Sequence, residues 1–93
     1  MKKIALITGA SKGIGKALAE KMLDENFFVI GTSRDGEFSD FNTKDFYALK
    51  LDLSNPTSIE NAHKEIFNTF KNIDILINNA GIGPDLDTYI PEK

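Results

Sequence analysis

The run Thr8-Gly9-Ala10-Ser11-Lys12-Gly13-Ile14-Gly15 gathers glycines, hydroxyls and a cation in one short stretch. That mix suits the binding of an anion. Gly9 lets the chain turn sharply as it leaves the preceding segment. Gly13 has no side chain to keep the backbone away from a pyrophosphate, and Gly15 lets a following helix pack close to a strand. The N–H groups at the start of such a helix then face a phosphate. The apolar run Ile4-Ala5-Leu6-Ile7 precedes the glycines, and an amphipathic stretch follows them. Strand, glycine turn and helix start in this order form the context that a dinucleotide-phosphate site requires. A glycine-rich turn that only connects two elements is the plain alternative, and the flanking strand and helix weigh against it. The spacing differs from G-x-G-x-x-G: three residues separate the first pair of glycines and one separates the second.

The elements that must position this turn follow from patterning. Lys3 to Thr8 predicts a short buried strand, apolar on both faces as parallel strands tend to be. Gly13 to about Glu25 predicts a helix, with Ile14, Ala17, Leu18 and Met22 on one stripe. Asn26 suits a left-handed position just past its end. Phe27 to Thr32 predicts a second buried strand. Residues 33–45 hold Asp35-Gly36, Ser39, Asn42 and Asp45 with weak periodicity, and predict a loop. Phe46 to Asp52 predicts a third strand. Asn55-Pro56 marks a helix start, with Asn as N-cap and Pro at the first helical position. Ile59, Ala62, Ile66, Phe67 and Phe70 form the expected apolar stripe. Ile73 to Asn78 predicts a fourth strand, ended by Gly81, Gly83 and Pro84. The pattern argues an α/β fold: a truncated, Rossmann-like, doubly wound parallel sheet of strand order 3-2-1-4 with right-handed crossovers.

Composition narrows the function. Ninety-three residues make one small domain at most, an incomplete one on this pattern. Hydrophobic content of 41% and charged content of 27% fit a globular chain rather than a disordered one. A formal charge of −3 gives no reason to expect nucleic acid, whose binders carry basic patches. The chain has no Cys, which excludes disulfides and thiol catalysis and fits a reducing, cytoplasmic setting. No apolar run approaches the ~20 residues that span a bilayer, so no membrane role is expected. His63, the only histidine, lies mid-helix beside Lys64, which reads as a solvated surface residue and leaves a transition-metal site without ligands.

The glycine run resembles the T-G-x-x-x-G-x-G signature of the short-chain dehydrogenase/reductase family. Two further places carry the resemblance. Asp52-Leu53 closes strand 3, where the family has an Asp beside the adenine ring; an Asp starting a turn before Ser54-Asn55 is compatible with that. Asn78-Asn79-Ala80-Gly81 matches the family's N-N-A-G motif at the end of strand 4. The resemblance spans Lys3 to Gly83. It implies a nicotinamide dinucleotide cofactor, with Gly9, Ser11, Gly13, Ile14 and Gly15 at the pyrophosphate, Asp52 and Leu53 beside the adenine, and Asn79, Ala80 and Gly81 along the adenosine ribose. The implied activity of the parent protein is hydride exchange between a carbonyl and an alcohol.

Cofactor choice is expected to be set at the end of strand 2, where NAD binders place an acidic side chain on the ribose 2′-OH. The corresponding residue here is Ser33, followed by Arg34. Lys12 supplies a second cation facing the same region. A guanidinium beside an ammonium suits a 2′-phosphate dianion, favouring NADP(H) over NAD(H). Asp35 competes, since a shifted register would place it on the ribose. Two merely solvated charges are the other alternative for Lys12 and Arg34.

The family's catalytic Ser, Tyr and Lys lie several dozen residues beyond N-N-A-G, so no catalytic residue is expected here. Tyr89 and Lys93 match the Y-x-x-x-K spacing, but Pro91 between them is poorly compatible with the helix that this spacing serves. Strand 4 would present an uncovered, mostly apolar edge, which predicts self-association or completion by a partner chain. The short connection between strands 2 and 3 predicts thin cover on one sheet face. A non-catalytic nucleotide-binding module, or a subunit completed by a partner, is the rival functional reading; a remnant that folds without binding is the structural one.

Overall fold

Alternating apolar strands and amphipathic helices wind into one sheet, seen here in a computed structural model that describes residues 2–79. The elements are β1 (Ile4–Ile7), α1 (Gly13–Asp24), β2 (Phe28–Ser33), β3 (Phe46–Lys50), α2 (Pro56–Thr69) and β4 (Ile75–Ile77). All strands pair in parallel, in the order β3-β2-β1-β4. This is the α/β order expected from the sequence. Most strand ends fall a residue or two inside the expected ones; β2 instead extends to Ser33.

Local chemistry sets both ends of the helices. Asn26 stands at φ 72°, the left-handed value that Asn tolerates. The Asn26 N–H donates to Leu23 O and the Phe27 N–H to Met22 O, both at 3.0 Å, so a Schellman motif closes α1. At the start of α2, Asn55 Oδ1 accepts from the N–H groups of Thr57 (3.0 Å) and Ser58 (3.3 Å), with Pro56 behind it.

Each sheet face carries its own core. Ile7, Ala10, Ala19 and Val29 bury one, against Leu18, Met22 and Leu23 of α1. Ile30, Leu49 and Ala62 bury the other, against Ile66 of α2 and Phe70. The helix settings correct the expected stripes. On α1 the buried residues are Gly15 and Ala19, while Ile14 and Ala17 face outward. The close approach of Gly15 to the β1 turn fixes the helix rotation, and Ile14 and Ala17 turn away with it. On α2 the buried line is Ser58 and Ala62, continued by half-buried Ile66; Ile59 and Phe67 are exposed. Those two lie about 100° round the helix from that line, where the imidazole of His63 stacks near Phe67.

The connection between β2 and β3 is a loop, as expected, but its face is not bare. Phe41 stacks on Phe46 with ring centroids 4.2 Å apart, and Phe38 meets both rings edge-on. Phe46 in turn packs on β2, where a Cβ on Gly31 would stand 2.5 Å from its ring. Three aromatic rings thus take the place of a crossover helix. An ion pair of 2.9 Å from Lys16 Nζ to Asp40 ties the loop to the first turns of α1, and the Asp40 carboxylate holds the Lys16 ammonium above its ordinary pKa.

Candidate dinucleotide site

Because every strand runs the same way, the segments that follow β1, β2, β3 and β4 emerge at one edge of the sheet. This is where open α/β sheets bind ligands. The edge collects the glycine turn, Arg34, Asp52-Leu53 and Asn78-Asn79 from positions far apart in the chain.

The glycine turn is built from three directions. Gly9 adopts φ 67° as the chain leaves β1. Its N–H donates to Thr32 Oγ1 at 3.1 Å, and the next N–H, of Ala10, donates to Thr32 O at 2.8 Å. Its carbonyl accepts from Asn79 Nδ2 at 3.1 Å. The Asn79 N–H donates to Thr8 Oγ1 at 2.8 Å, and that hydroxyl lies 3.3 Å from Asn78 Oδ1. The β4 exit therefore buttresses the turn instead of only flanking it. Gly15 sits against this assembly so closely that a Cβ there would fall 1.9 Å from Gly9 O and 2.6 Å from Asn79 Nδ2. Gly13 differs: a Cβ on it would meet nothing within 4 Å, and its constraint is the left-handed φ of 64°.

The N-terminus of α1 contrasts with that of α2. Lys12 occupies the N-cap of α1 in extended conformation and makes no side-chain cap bond, and the first turn holds no acidic residue. Among the described residues no side chain caps its leading N–H groups, whereas Asn55 caps two in α2. Such an end carries partial positive charge and amide donors for an anion. Lys12 and Ile14 are both exposed beside it, Ile14 at 71%, and Ser11 is half-buried.

On the other side of the edge, β2 ends at Ser33, making Arg34 the first residue beyond the strand, and Arg34 is exposed. Asp35 turns into its own loop. Its Oδ1 accepts from the Glu37 N–H at 3.0 Å and lies 3.3 Å from Ser33 Oγ, while Ser33 Oγ accepts from the Gly36 N–H at 2.9 Å. The Glu37 N–H, with help from the Ser33 hydroxyl and Lys50, holds the Asp35 carboxyl below the ordinary carboxylate range. Asp52 likewise starts a turn, accepting from the Ser54 hydroxyl at 2.7 Å and the Ser54 N–H at 3.0 Å. These bonds lower its pKa, with smaller contributions from the charges of Arg34 and Lys50. Leu53 beside it is half-buried.

The structure thus brings Gly9, Gly15 and Asn79 into contact and sets Arg34 near Asp52. Lys12 opens α1 in the segment that follows β1, and Arg34 follows β2, the strand paired with β1. Ala80 and Gly81, and also Tyr89 and Lys93, lie outside the described residues. Sequence reasoning missed Thr32, whose hydroxyl shapes the glycine turn, and Ser58, whose buried Oγ accepts from the Asp52 N–H at 2.9 Å and ties the β3 exit to α2. A hydroxyl residue next to the last position of an otherwise apolar strand was the one available signal for Thr32.

Comparison with known proteins agrees with this geometry. The family model for short chain dehydrogenases matches residues 3–90. The chain is 46% identical over 87 residues to the 3-oxoacyl-(acyl-carrier-protein) reductase of Vibrio cholerae, covering 89% of this chain and 36% of that relative. Among solved structures, a short chain dehydrogenase from Leptospira borgpetersenii with bound NAD+ superposes with a TM-score of 0.76 at 34% identity, over 88% of this chain and 32% of the other. A metagenomic short-chain oxidoreductase in complex with NADP gives a TM-score of 0.76 at 31% identity, over 87% of this chain and 39% of the other. The chain spans about a third of the length of the proteins it matches.

Proposed function

The chain belongs to the short-chain dehydrogenase family, and on that premise we propose that it is the N-terminal, NADP(H)-binding portion of a carbonyl/alcohol oxidoreductase. The observation that carries this reading is the uncapped N-terminus of α1, set by Gly9, Gly15 and Asn79 at the strand-exit edge. The leading N–H groups of α1, with Ser11, Gly13 and Ile14, would hold the pyrophosphate. Arg34 and Lys12 would take the 2′-phosphate. Asp52 and Leu53 would border the adenine, and Asn79, Ala80 and Gly81 the adenosine ribose. The nicotinamide, when bound, supplies the hydride exchange. The residues of this chain bind and orient the cofactor, and we assign none of them a catalytic role.

Two observations support NADP(H) over NAD(H). No carboxylate stands at the last residue of β2, and Asp35, two residues on, accepts hydrogen bonds within its own turn. A calorimetric titration of the folded chain with NADPH and with NADH tests the reading. Tighter binding of NADPH is the expected result. Equal binding, or a preference for NADH, would remove the 2′-phosphate assignment.

A second reading, a non-catalytic nucleotide-binding module or a subunit completed by another chain, is favoured by the β4 edge. β4 pairs with β1 on one side, and Leu76 on it is 62% exposed. An apolar strand edge of this kind pairs readily with another strand. We propose that it does so here, with a second copy or with a completing chain. Light scattering at micromolar concentration is expected to show a species larger than a monomer, and a monodisperse monomer would rule out self-pairing. No helix among the described residues is long and apolar enough to cross a membrane. With no Cys in the chain, we place the protein in the cytoplasm.

A further inference from the structure

Lys50 played no part in the reading of the sequence, yet the fold sets it beneath the turn that carries Arg34. It is the last residue of β3 and pairs in register with Ser33, the last of β2. The Leu51 N–H donates to Ser33 O at 2.8 Å, locking the two strand ends together just beside it. Gly36 then folds back over it: a Cβ on Gly36 (φ 77°) would lie 3.0 Å from Lys50 Cβ. The turn Arg34-Asp35-Gly36 therefore rests on the stem of Lys50, whose side chain is exposed.

Two carboxylates share this corner. Asp35 comes from the turn above. Asp52 follows two residues beyond Lys50, where the chain leaves β3. Both interact electrostatically with Lys50, and Asp52 also with Arg34. Arg34 interacts with Asp52, and Asp35 follows it in the same turn, so the corner without Lys50 would carry one cation against two carboxylates and disfavour a phosphate dianion. With Lys50 the charges of Arg34, Asp35 and Asp52 balance to zero, and Lys12 from the turn after β1 adds a cation that offsets Glu37, the exposed acid just beyond Gly36.

We infer that Lys50 is a specificity residue of the cofactor site, its ammonium offsetting Asp35 and Asp52 so that a 2′-phosphate can settle on Arg34. This rests on the NADP(H) reading above. It identifies the discriminating unit as a charge set carried by two neighbouring strand ends rather than by the β2 exit alone.

The test is calorimetric titration of the full chain and of Lys50→Met, Lys50→Arg and Lys50→Met/Asp35→Asn with NADPH and with NADH. Circular dichroism checks that each variant folds. Lys50→Met is expected to lower the preference for NADPH by about fivefold, the scale of one exposed charge interaction. Lys50→Arg should keep it. Adding Asp35→Asn to Lys50→Met should recover part of it, because Asn keeps the acceptor oxygen of the turn while removing the charge. An unchanged NADPH-to-NADH ratio in folded Lys50→Met would overturn the inference and leave the NADP(H) reading intact. A wild-type chain with no preference for NADPH would overturn both.

Discussion

Gly15→Ala is expected to destabilise the chain by about 3 kcal/mol or more, at the upper end for overpacking substitutions. The cause is backbone against backbone. The new methyl would sit 1.9 Å from Gly9 O, and no rotamer can relieve a Cβ clash. To accept it, α1 must retreat from the β1 turn, or the turn must give up the Asn79 Nδ2 bond that holds it. For a domain this small, the loss corresponds to a fall in melting temperature of roughly 12 °C or more, followed by circular dichroism. Any folded fraction should bind cofactor poorly, since its phosphate-facing N–H groups have moved with the helix. Gly13→Ala is the control. Nothing stands within 4 Å of the added methyl, so its cost should be only the left-handed backbone, about 1–2 kcal/mol. Equal stability of Gly15→Ala and wild type would show that helix and turn are not packed as described.

Removing both cations proposed for the 2′-phosphate should have the largest effect on binding. Arg34→Ala and Lys12→Ala each delete a charge-assisted contact of about 1.5 kcal/mol or more, a factor of about ten in affinity. Together they are expected to weaken NADPH binding by about 100-fold if the contacts add. NADH, which lacks the phosphate, should change by no more than about threefold, the scale of a residual exposed charge effect. Stability should hardly move, because both side chains are exposed and Lys12 makes no cap bond. Equal losses for the two cofactors would instead mean that these cations act on the shared pyrophosphate. Low-salt titrations exaggerate such effects, so the comparison belongs near physiological ionic strength.

Much of the fold was legible because its signals are local. Asn55-Pro56 specifies a helix start through one side chain and its neighbouring amides. Asn26 marks the end of α1 because few residues tolerate its φ. Short apolar runs separated by amphipathic stretches imply parallel pairing, since parallel strands need long crossovers and are buried on both faces. The helix stripes were harder. Periodicity gives the apolar arc of α1 but not its rotation, and Gly15, with no side chain, has no weight in an apolar pattern. It is nevertheless the residue that faces the sheet. Phe67 counted as core for the same reason in reverse: a large apolar residue near the stripe, it was left exposed because the Ser58, Ala62 and Ile66 line lies closest to the sheet.

The amino-acid order by itself determined the element types, their parallel arrangement and the glycine turn, because these follow from backbone preference and burial along neighbouring residues. Tertiary structure alone decided which distant groups meet. It set Asn79 on the carbonyl of Gly9 across 70 residues of sequence, Thr32 on its N–H, and Gly36 against the stem of Lys50. It also extended the cover of the α1 face with Phe38, Phe41 and Phe46, where the short β2–β3 connection had predicted thin protection. Pair contacts of this kind depend on strand register and on the rotation of each helix. Both are fixed by the simultaneous packing of the two sheet faces, and no local window of residues contains that information.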